Sequence, residues 1–259
     1  MNKDWNPELY LRFNQERIQP AIDLRNRIEM DAPRKILDVG CGPGNSTHIL
    51  AQRWPQADIL GIDNSVAMID KAKADYPQAK WAVMDALAVN DSDEFDIIFS
   101  NAVIHWVPDH ETLFKKLVQA LTPNGVLAIQ MPLYQEMPVY ALVEGLFNER
   151  FPATPFASDR VFHFHSAGYY YNLLTQLQSP FSLWETSYIH VMAAHEQILE
   201  MIRSTGLKPY LDEIQDNAQR SAFAAAVLDN LPTIYQTQRD GRVLFPFMRL
   251  FLVAGKGGS

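Results

Sequence analysis

The chain has 259 residues, which fits one α/β domain, since such folds often run to about 250 residues as a single unit. Hydrophobic residues make up 47% and charged residues 20% of the chain, and this composition excludes an intrinsically disordered protein. Acidic residues outnumber Lys and Arg by 30 to 22, and the net charge of −8 disfavours binding to nucleic acid or anionic lipid. The single cysteine, Cys41, excludes an intrachain disulfide and a zinc site with several cysteine ligands.

The amino terminus, MNKDWNPELY, lacks the apolar core of a signal peptide. No stretch approaches the roughly 18 uncharged apolar residues that a membrane span needs. We therefore expect a cytoplasmic protein without membrane contact, whose oligomeric state the sequence leaves open.

A helical arm is predicted over residues 1–30, where Asn6-Pro7 suits a helix start and apolar residues recur at helical spacing. Short apolar runs then alternate with amphipathic stretches. Strands are predicted at 35–40, 57–63, 79–85, 95–101 and 125–132. Helices are predicted at 46–53, 65–74 and 111–121. This alternation is typical of right-handed βαβ crossovers and a mainly parallel sheet.

The pattern changes after Pro132. Further helices are predicted at 138–150, 169–177, 195–203 and 216–234, and further strands at 182–192 and 243–255. We expect one α/β domain over 31–259, with a Rossmann-like, seven-stranded, mostly parallel sheet and helices on both faces. Insertions at about 133–168 and 193–240 are expected to form a helical cap over the sheet.

A glycine-rich loop, Gly40-Cys41-Gly42-Pro43-Gly44, lies between a predicted buried strand and the start of a helix. Glycines let the backbone approach a ligand closely, and the helix start offers free N–H groups. Asp63 and Asp85 end the next two predicted strands, at the edge where open α/β sheets bind ligands. Asp63 is placed to take two ribose hydroxyls, and Asp85 to lie within reach of an adenine amino group. Either carboxylate can instead cap the helix that follows it.

The spacing of the loop departs from the dinucleotide pattern Gly-x-Gly-x-x-Gly, because Asn45 stands in the place of the third glycine. Asp38, at the end of the first strand, also suits a cationic ligand. The run Leu37-Asp38-Val39-Gly40-Cys41-Gly42, followed by the strand-end Asp63 and Asp85, resembles the class I S-adenosylmethionine-dependent methyltransferases. This resemblance covers roughly residues 33–132.

The resemblance implies S-adenosyl-L-methionine as the cofactor and S-adenosyl-L-homocysteine as its product. It places the glycine loop at the methionine part, Asp63 at the ribose, Asp85 at the adenine, and Asn101 at the methionine amino and carboxyl groups. Cys41 is interpreted as a small packing residue, because nothing nearby in sequence pairs it with a base. The predicted cofactor-binding residues are Asp38, Gly40, Cys41, Gly42, Asp63, Asn64, Asp85, Ala86, Asn101 and Ala102.

The flanking segments resemble one family more closely, the trans-aconitate methyltransferases. The segments that carry this likeness include Asp4-Trp5-Asn6-Pro7, His105-Trp106-Val107-Pro108-Asp109-His110, Gln130-Met131-Pro132 and Ser204-Thr205-Gly206-Leu207-Lys208-Pro209. They span nearly the whole chain, including the expected cap. The sequence departs from the family at 133–145, where Glu144-Gly145 stands in place of an arginine, and at Gln19. The resemblance implies an enzyme that esterifies a carboxylate of a small polycarboxylic acid, with trans-aconitate the leading acceptor.

A carboxylate is already ionised at neutral pH, so its methylation needs no general base. Catalysis would come from in-line placement of the reacting atoms and from exclusion of water. We therefore expect no strictly catalytic residue and no metal, with Tyr10, His105 and Trp106 positioning the acceptor. A polycarboxylate also requires local cations, and Arg pairs with carboxylates through a bidentate fork. The predicted substrate-binding residues are Tyr10, Arg17, His105, Trp106, Arg160 and Arg249.

Other functions remain open on the sequence alone. The acceptor can be another small acid or a carrier-bound acyl group, since the biotin-pathway methyltransferases share the core motifs. The missing third glycine disfavours a nicotinamide-dependent dehydrogenase. A module that binds the cofactor without turnover is disfavoured by the intact glycine loop and its two acids. DNA methylation is disfavoured by the acidic charge and by Ser100-Asn101-Ala102-Val103, which lacks the run of two prolines and an aromatic residue.

Overall fold

The structure is a computed structural model that describes residues 14–154, 156, 161–203 and 205–256, with side chains described from residue 18 onward. The strands are β1 (Lys35–Val39), β2 (Asp58–Asp63), β3 (Lys80–Val83), β4 (Phe95–Asn101), β5 (Leu121–Pro132), β6 (Phe181–Met192) and β7 (Val243–Gly255). The helices are α1 (Asn14–Asn26), α2 (Asn45–Arg53), α3 (Val66–Asp75), α4 (His110–Ala120), α5 (Pro138–Arg150), α6 (Ala167–Gln176), α7 (His195–Arg203), α8 (Lys208–Glu213) and α9 (Asn217–Ile234).

The strands form one seven-stranded sheet in the order β3-β2-β1-β4-β5-β7-β6. Strand β1 pairs in parallel with β2 on one side and β4 on the other, while β3 and β5 extend the two sides in parallel. The strand order therefore reverses between β1 and β4, and ligands of open α/β sheets bind at the carboxyl edge beside such a point. The predicted seven-stranded, mostly parallel Rossmann-like sheet is confirmed.

Burial explains why short apolar runs form the central strands. In β1 every residue after Lys35 is buried, and in β4 the run Ile97–Ser100 is buried as well. Continuous burial is typical of parallel strands whose two faces are both covered by helices. Helix α4 shows the matching pattern, since it buries residues at helical spacing on one side, namely His110, Leu113, Phe114, Leu117 and Val118.

The described residues fall into two compact units. The first comprises residues up to Met131, His165–Glu185 and residues from Leu250 onward, and it contains the parallel strands and the glycine loop. The second comprises Pro132–Phe164 and Thr186–Arg249. In the second unit α9 packs on α5 and α7, around an aromatic cluster of Phe147, Phe151, Phe156, Tyr210 and Phe223. The predicted division into arm, main domain and cap insertions stays a prediction.

Two strand bounds differ from the sequence prediction. Strand β5 begins at Leu121, which lies opposite Phe95, whereas Val126 lies opposite Ile97. The extra residues 122–125 form a bulge. This turn-forming sequence therefore interrupts the pairing with β4, but the strand already begins before it. Strand β3 ends at Val83, so Asp85 follows the strand rather than closing it.

One helix escaped prediction, and the remaining elements agree closely. Helix α8, over Lys208–Glu213, has six residues with Pro209 near its start and is too short for a periodic pattern. Beyond the arm, and apart from the start of β5, the other predicted helices and strands are present with ends that shift by at most two residues. No helix among the described residues is long and apolar enough to cross a membrane.

Candidate cofactor-binding site

The glycine loop joins β1 to α2 through backbone conformations that favour glycine. Gly40 has a φ of 69°, and a Cβ placed on it would lie 2.2 Å from a methyl group of Val103, so only glycine fits there. The amides of Gly40 and Cys41 both donate to the carbonyl of Ile62, at 2.7 and 2.9 Å. Gly42 has a φ of 54°, and a Cβ placed there would meet no atom within 4 Å. The loop is thus bonded to β2 through Gly40 and Cys41, whereas the space beside Gly42 is open.

Asp63 ties the end of β2 to this loop. One carboxylate oxygen accepts from the Gly42 amide at 3.0 Å, and the other accepts from the Ser65 amide at 2.9 Å. Burial raises the pKa of the Asp63 carboxyl, and these two amide bonds oppose that effect. Each oxygen of a carboxylate has a second lone pair, so Asp63 can still accept from ligand hydroxyls.

Asp38 is wholly buried at the carboxyl end of β1. Its Oδ2 accepts from the hydroxyls of Ser46 and Thr47, both at 2.6 Å, whereas Oδ1 has no hydrogen-bond partner among the described residues. Burial raises the pKa of this carboxyl from an ordinary 3.8 to about 6, although the two hydroxyls lower it. At neutral pH the carboxylate is an ion without a cation beside it in the described part of the chain. The sequence reasoning missed Ser46 and Thr47, which lie eight and nine residues after Asp38 in the first turn of α2.

The Cys41 thiol is buried within the loop. Burial, together with the charges of Asp38 and Asp63, raises the pKa of the thiol well above its ordinary range. A Cβ placed on Gly61 would lie 3.0 Å from Cys41 Sγ, so the sulfur fills space against β2. A protonated, packed thiol does not act as a nucleophile.

The segment after β3 lies beside Asp63, because the Met84 amide donates to the Asp63 carbonyl at 2.9 Å. Asp85 is exposed, and it caps a 3₁₀ turn at Ala86–Ala88 by accepting from the Leu87 amide at 2.8 Å. Asp85 therefore caps the turn that follows it, which is the alternative role that the sequence left open for this carboxylate. Its second oxygen is not used in that bond, so capping and ligand binding are compatible.

Lys116 of α4 hydrogen-bonds to this turn and to the segment after it, a contact that the sequence did not predict. Its Nζ donates to the carbonyl of Leu87 at 2.5 Å and to Asn90 Oδ1 at 2.8 Å. These partners lie 29 and 26 residues earlier in the chain, which is why no local pattern indicated the contact.

The end of β4 forms the other side of the site. Ala102 has a φ of 59°, unusual for a residue with a side chain, and its amide donates to the Gln130 carbonyl at 2.8 Å. A 3₁₀ turn follows at Ile104–Trp106. His105 is 1% exposed, and its ring lies 5.0 Å from that of Trp106. Because Val103 packs on Gly40, this turn lies against the glycine loop.

The structure thus brings together the residues predicted at the ends of β1, β2 and β4, with Asp85 and Ala86 next to them. Asn64 is exposed directly after β2, and the partly exposed Asn101 ends β4 opposite Gln130. Arg249 belongs to the second unit, where it is 5% exposed and its guanidinium lies 4.4 Å from the ring centre of Phe247. Three predictions lie outside the described residues, namely Tyr10, Arg160 and the side chain of Arg17.

The described groups fit S-adenosylmethionine. A buried carboxylate oxygen of Asp38 without a partner suits a ligand that carries positive charge. Asp63 offers acceptor positions for ribose hydroxyls, and the space in front of Gly42 leaves room for a ligand close to the backbone. No group of three or more His, Cys, Asp or Glu side chains in the described ranges has the arrangement of a metal site.

Comparison with known proteins identifies the type of domain. Residues 36–125 match the methyltransferase domain family. Among solved structures, the YcgJ protein of Bacillus subtilis covers 93% of this chain and 99% of its own, with a TM-score of 0.60 at 13% identity. Phosphoethanolamine N-methyltransferase 2 of Haemonchus contortus, solved with S-adenosyl-L-methionine, covers 93% of this chain and 53% of its own, with a TM-score of 0.58 at 19% identity. At these identities the structural matches show the fold alone.

Sequence comparison is more specific. The chain is 40% identical to the trans-aconitate 2-methyltransferase of Methylobacterium nodulans, over 97% of this chain and 98% of that protein. It is 38% identical to the trans-aconitate 2-methyltransferase of Escherichia coli, over 97% and 98% of the two chains. Identity at this level along nearly the full length shows that the protein belongs to the trans-aconitate 2-methyltransferase family, within the S-adenosylmethionine-dependent methyltransferases.

Proposed function

We propose that this protein transfers a methyl group from S-adenosylmethionine to a carboxylate of trans-aconitate. The observation that carries the proposal is the 40% identity to a trans-aconitate 2-methyltransferase over 97% of the chain. The aligned length includes both compact units, and therefore also the residues outside the methyltransferase domain match at 36–125. Those additional residues are the ones expected to distinguish one acceptor from another.

The roles of the individual cofactor residues are part of this proposal. Gly40, Cys41 and Gly42 would lie along the methionine part, and Asp63 with Asn64 would hold the ribose. Asp38 would supply the negative charge that balances the cationic cofactor, with Ser46 and Thr47 fixing its orientation. Asp85 and Ala86 would contact the adenine, and Asn101 with Ala102 the methionine amino and carboxyl groups. When bound, the cofactor supplies an electrophilic methyl group on a sulfonium.

The acceptor needs positioning rather than activation. A carboxylate is ionised at neutral pH, so the chain has no proton to remove, and rate enhancement comes from orientation and exclusion of water. His105 and Trp106, on the turn beside the glycine loop, would orient the acceptor together with Tyr10. Arg249, buried with its guanidinium near Phe247 and Tyr188, would bind a carboxylate together with Arg17 and Arg160.

The test is methyl transfer from methyl-labelled S-adenosylmethionine to a panel of acids. The panel contains trans-aconitate, cis-aconitate, citrate, isocitrate and an acyl-carrier substrate. An Escherichia coli expression host has its own relative of this protein, which would contaminate the preparation. The matched control is therefore the Asp63→Ala variant, purified in the same way from the same host. We expect base-labile label on trans-aconitate with the wild type and little with the variant. Label on another member of the panel, or none despite cofactor binding, would overturn the proposed acceptor.

A further inference from the structure

The first residue of α4, His110, connects the turn beside the glycine loop to a distant helix. His110 is 1% exposed, and its Nε2 lies 2.8 Å from the carbonyl oxygen of Ile104 in the 3₁₀ turn. Its Nδ1 lies 2.8 Å from the hydroxyl of Tyr170 in α6, and Tyr170 is completely buried. Tyr170 lies 60 residues after His110, so the bond joins two separate parts of the first unit.

The two partners define the tautomer of the ring. A backbone carbonyl only accepts hydrogen bonds, so Nε2 carries a hydrogen and donates it to Ile104. In the neutral ring Nδ1 is then an acceptor, and the Tyr170 hydroxyl can donate to it. The same hydroxyl lies 3.2 Å from Met131 Sδ, which holds Tyr170 against β5.

Aromatic side chains fix the ring from other directions. The His165 ring contacts the His110 ring edge-on, with centres 4.8 Å apart, and the Tyr170 ring stacks against His110 at 5.8 Å. Phe114, one turn along α4, lies 5.7 Å from the Tyr170 ring. The start of α4 is capped separately, by the Asp109 carboxylate accepting from the Thr112 amide at 2.9 Å. The ring is therefore held more firmly than helix formation requires.

The segment after β4 is anchored in two independent ways. Its first part, Asn101–Ala102, is held by the sheet, through pairing with Gln130 and the bond from the Ala102 amide. The following turn has its own short bonds, from the Trp106 amide to Val103 and from the Val107 amide to Ile104, both at 2.9 Å. The side-chain bond from His110 to the Ile104 carbonyl ties this turn to α4 and, through Tyr170, to α6.

We infer that His110, held at Nδ1 by the Tyr170 hydroxyl, is a positioning residue that fixes the Ile104–Trp106 turn and thereby orients His105 and Trp106 toward the acceptor. This inference rests on the proposed function, in which those two side chains meet the acid. The inference predicts separate effects on turnover and on cofactor binding, because the sheet itself anchors Asn101 and Ala102. Loss of the His110 bond should slow turnover and leave cofactor affinity unchanged.

Two substitutions at His110 test the bond rather than the bulk of the ring. The amide nitrogen introduced by His110→Gln reaches the place of Nε2 and can donate to Ile104, whereas His110→Asn reaches only the place of Nδ1. We expect kcat within about threefold of wild type for His110→Gln and at least about tenfold lower for His110→Asn, since small displacements of positioning groups cost that much. The cofactor Kd, measured by calorimetry, should stay within about twofold in both variants.

The control is Thr122→Val, which removes a partly buried bond to Asp96 at the opposite end of the sheet. It should lower stability without lowering kcat, so a general loss of stability is distinguished from loss of positioning. If His110→Asn does not fold, Tyr170→Phe serves instead, because it removes the hydrogen bond to Nδ1 of His110 while keeping the ring packing, and the same split between kcat and Kd is required of it.

Hydrogen exchange gives a readout that does not depend on the acceptor. The amides of Trp106 and Val107 should lose protection in His110→Asn and keep it in His110→Gln. If the wild type methylates no acid of the panel, the proposed function fails, and this exchange pattern still decides whether His110 fixes the turn. Equal kcat in the two folded His110 variants, or unchanged protection in His110→Asn, would overturn the inference.

Discussion

The substitution Asp38→Asn removes a buried charge that the free protein holds at a cost. Burial raises the pKa of this carboxyl from an ordinary 3.8 to about 6, so the folded state binds the proton more tightly than the unfolded state. The contribution of this group to the free energy of unfolding is therefore fully present below about pH 4 and is lost as the pH rises through about 6. The full difference corresponds to about 3 kcal/mol, since a tenfold change in an equilibrium constant is about 1.4 kcal/mol.

The magnitude is best measured as a change with pH. An introduced asparagine keeps an acceptor for Ser46 and Thr47 but adds a buried amide donor, which shifts stability by a constant amount at every pH. From pH 4.5 to 7.5 the free energy of unfolding of the variant should gain about 2 kcal/mol relative to wild type. Burial raises the pKa of Asp63 in both proteins, so this effect of burial cancels in the comparison.

The assay is urea unfolding of both proteins at several pH values, followed by calorimetric titration with S-adenosylmethionine. A cationic ligand beside Asp38 favours the ionised carboxylate, so wild-type affinity should be about tenfold weaker at pH 5 than at pH 7.5. The Asp38→Asn variant should bind more weakly than wild type at pH 7.5 and lack this pH dependence. A constant stability difference across the pH range would refute the account of the buried charge. An unchanged cofactor affinity in the variant would refute its role as counter-charge.

Three further substitutions separate the parts of the site. Asp63→Ala should weaken cofactor binding by about 1–3 kcal/mol, the usual loss for hydrogen bonds to a charged group, and an unchanged Kd by calorimetry would exclude the ribose role. Lys116→Met should raise the cofactor Kd by about three- to tenfold, because it removes two hydrogen bonds from the turn after Asp85. The neighbouring Lys115, largely exposed, gives the matched control Lys115→Met, and an equal effect of both would point to surface charge instead. Arg249→Met should raise the KM for the acid by at least about tenfold and leave the cofactor Kd unchanged, whereas a fall in Tm with an unaltered KM would assign Arg249 to structure.

The parts of the site that the sequence predicted are those with a local signature. The glycine loop follows a buried apolar strand, and Asp63 ends the next one, so the order of strands in a parallel sheet brings them to one edge. The contact between Gly42 and Asp63 is a direct consequence of that order. The fold was predictable for the same reason, since the alternation of apolar runs and helical stretches sets the topology.

The parts that the sequence did not reveal depend on packing between distant residues. Lys116 lies within the helix predicted at 111–121 and His110 directly before it, but Lys116 contacts Leu87, 29 residues earlier, and His110 contacts Tyr170, 60 residues later. Nothing in the period of an amphipathic helix tells which polar residue reaches a neighbouring turn. The sequence pattern predicted Asp85 at the end of a strand. In the structure the short β3 stops at Val83, and Asp85 begins the capping turn that follows.

The central claim is that this chain transfers the methyl group of S-adenosylmethionine to a carboxylate of trans-aconitate. The most direct measurement follows S-adenosylhomocysteine and the aconitate monomethyl ester together by mass spectrometry, with both substrates present at pH 7.5. The account predicts that the two products appear in a 1:1 ratio throughout the time course in the wild-type reaction. Formation of S-adenosylhomocysteine without the ester, or cofactor binding with neither product, would contradict it.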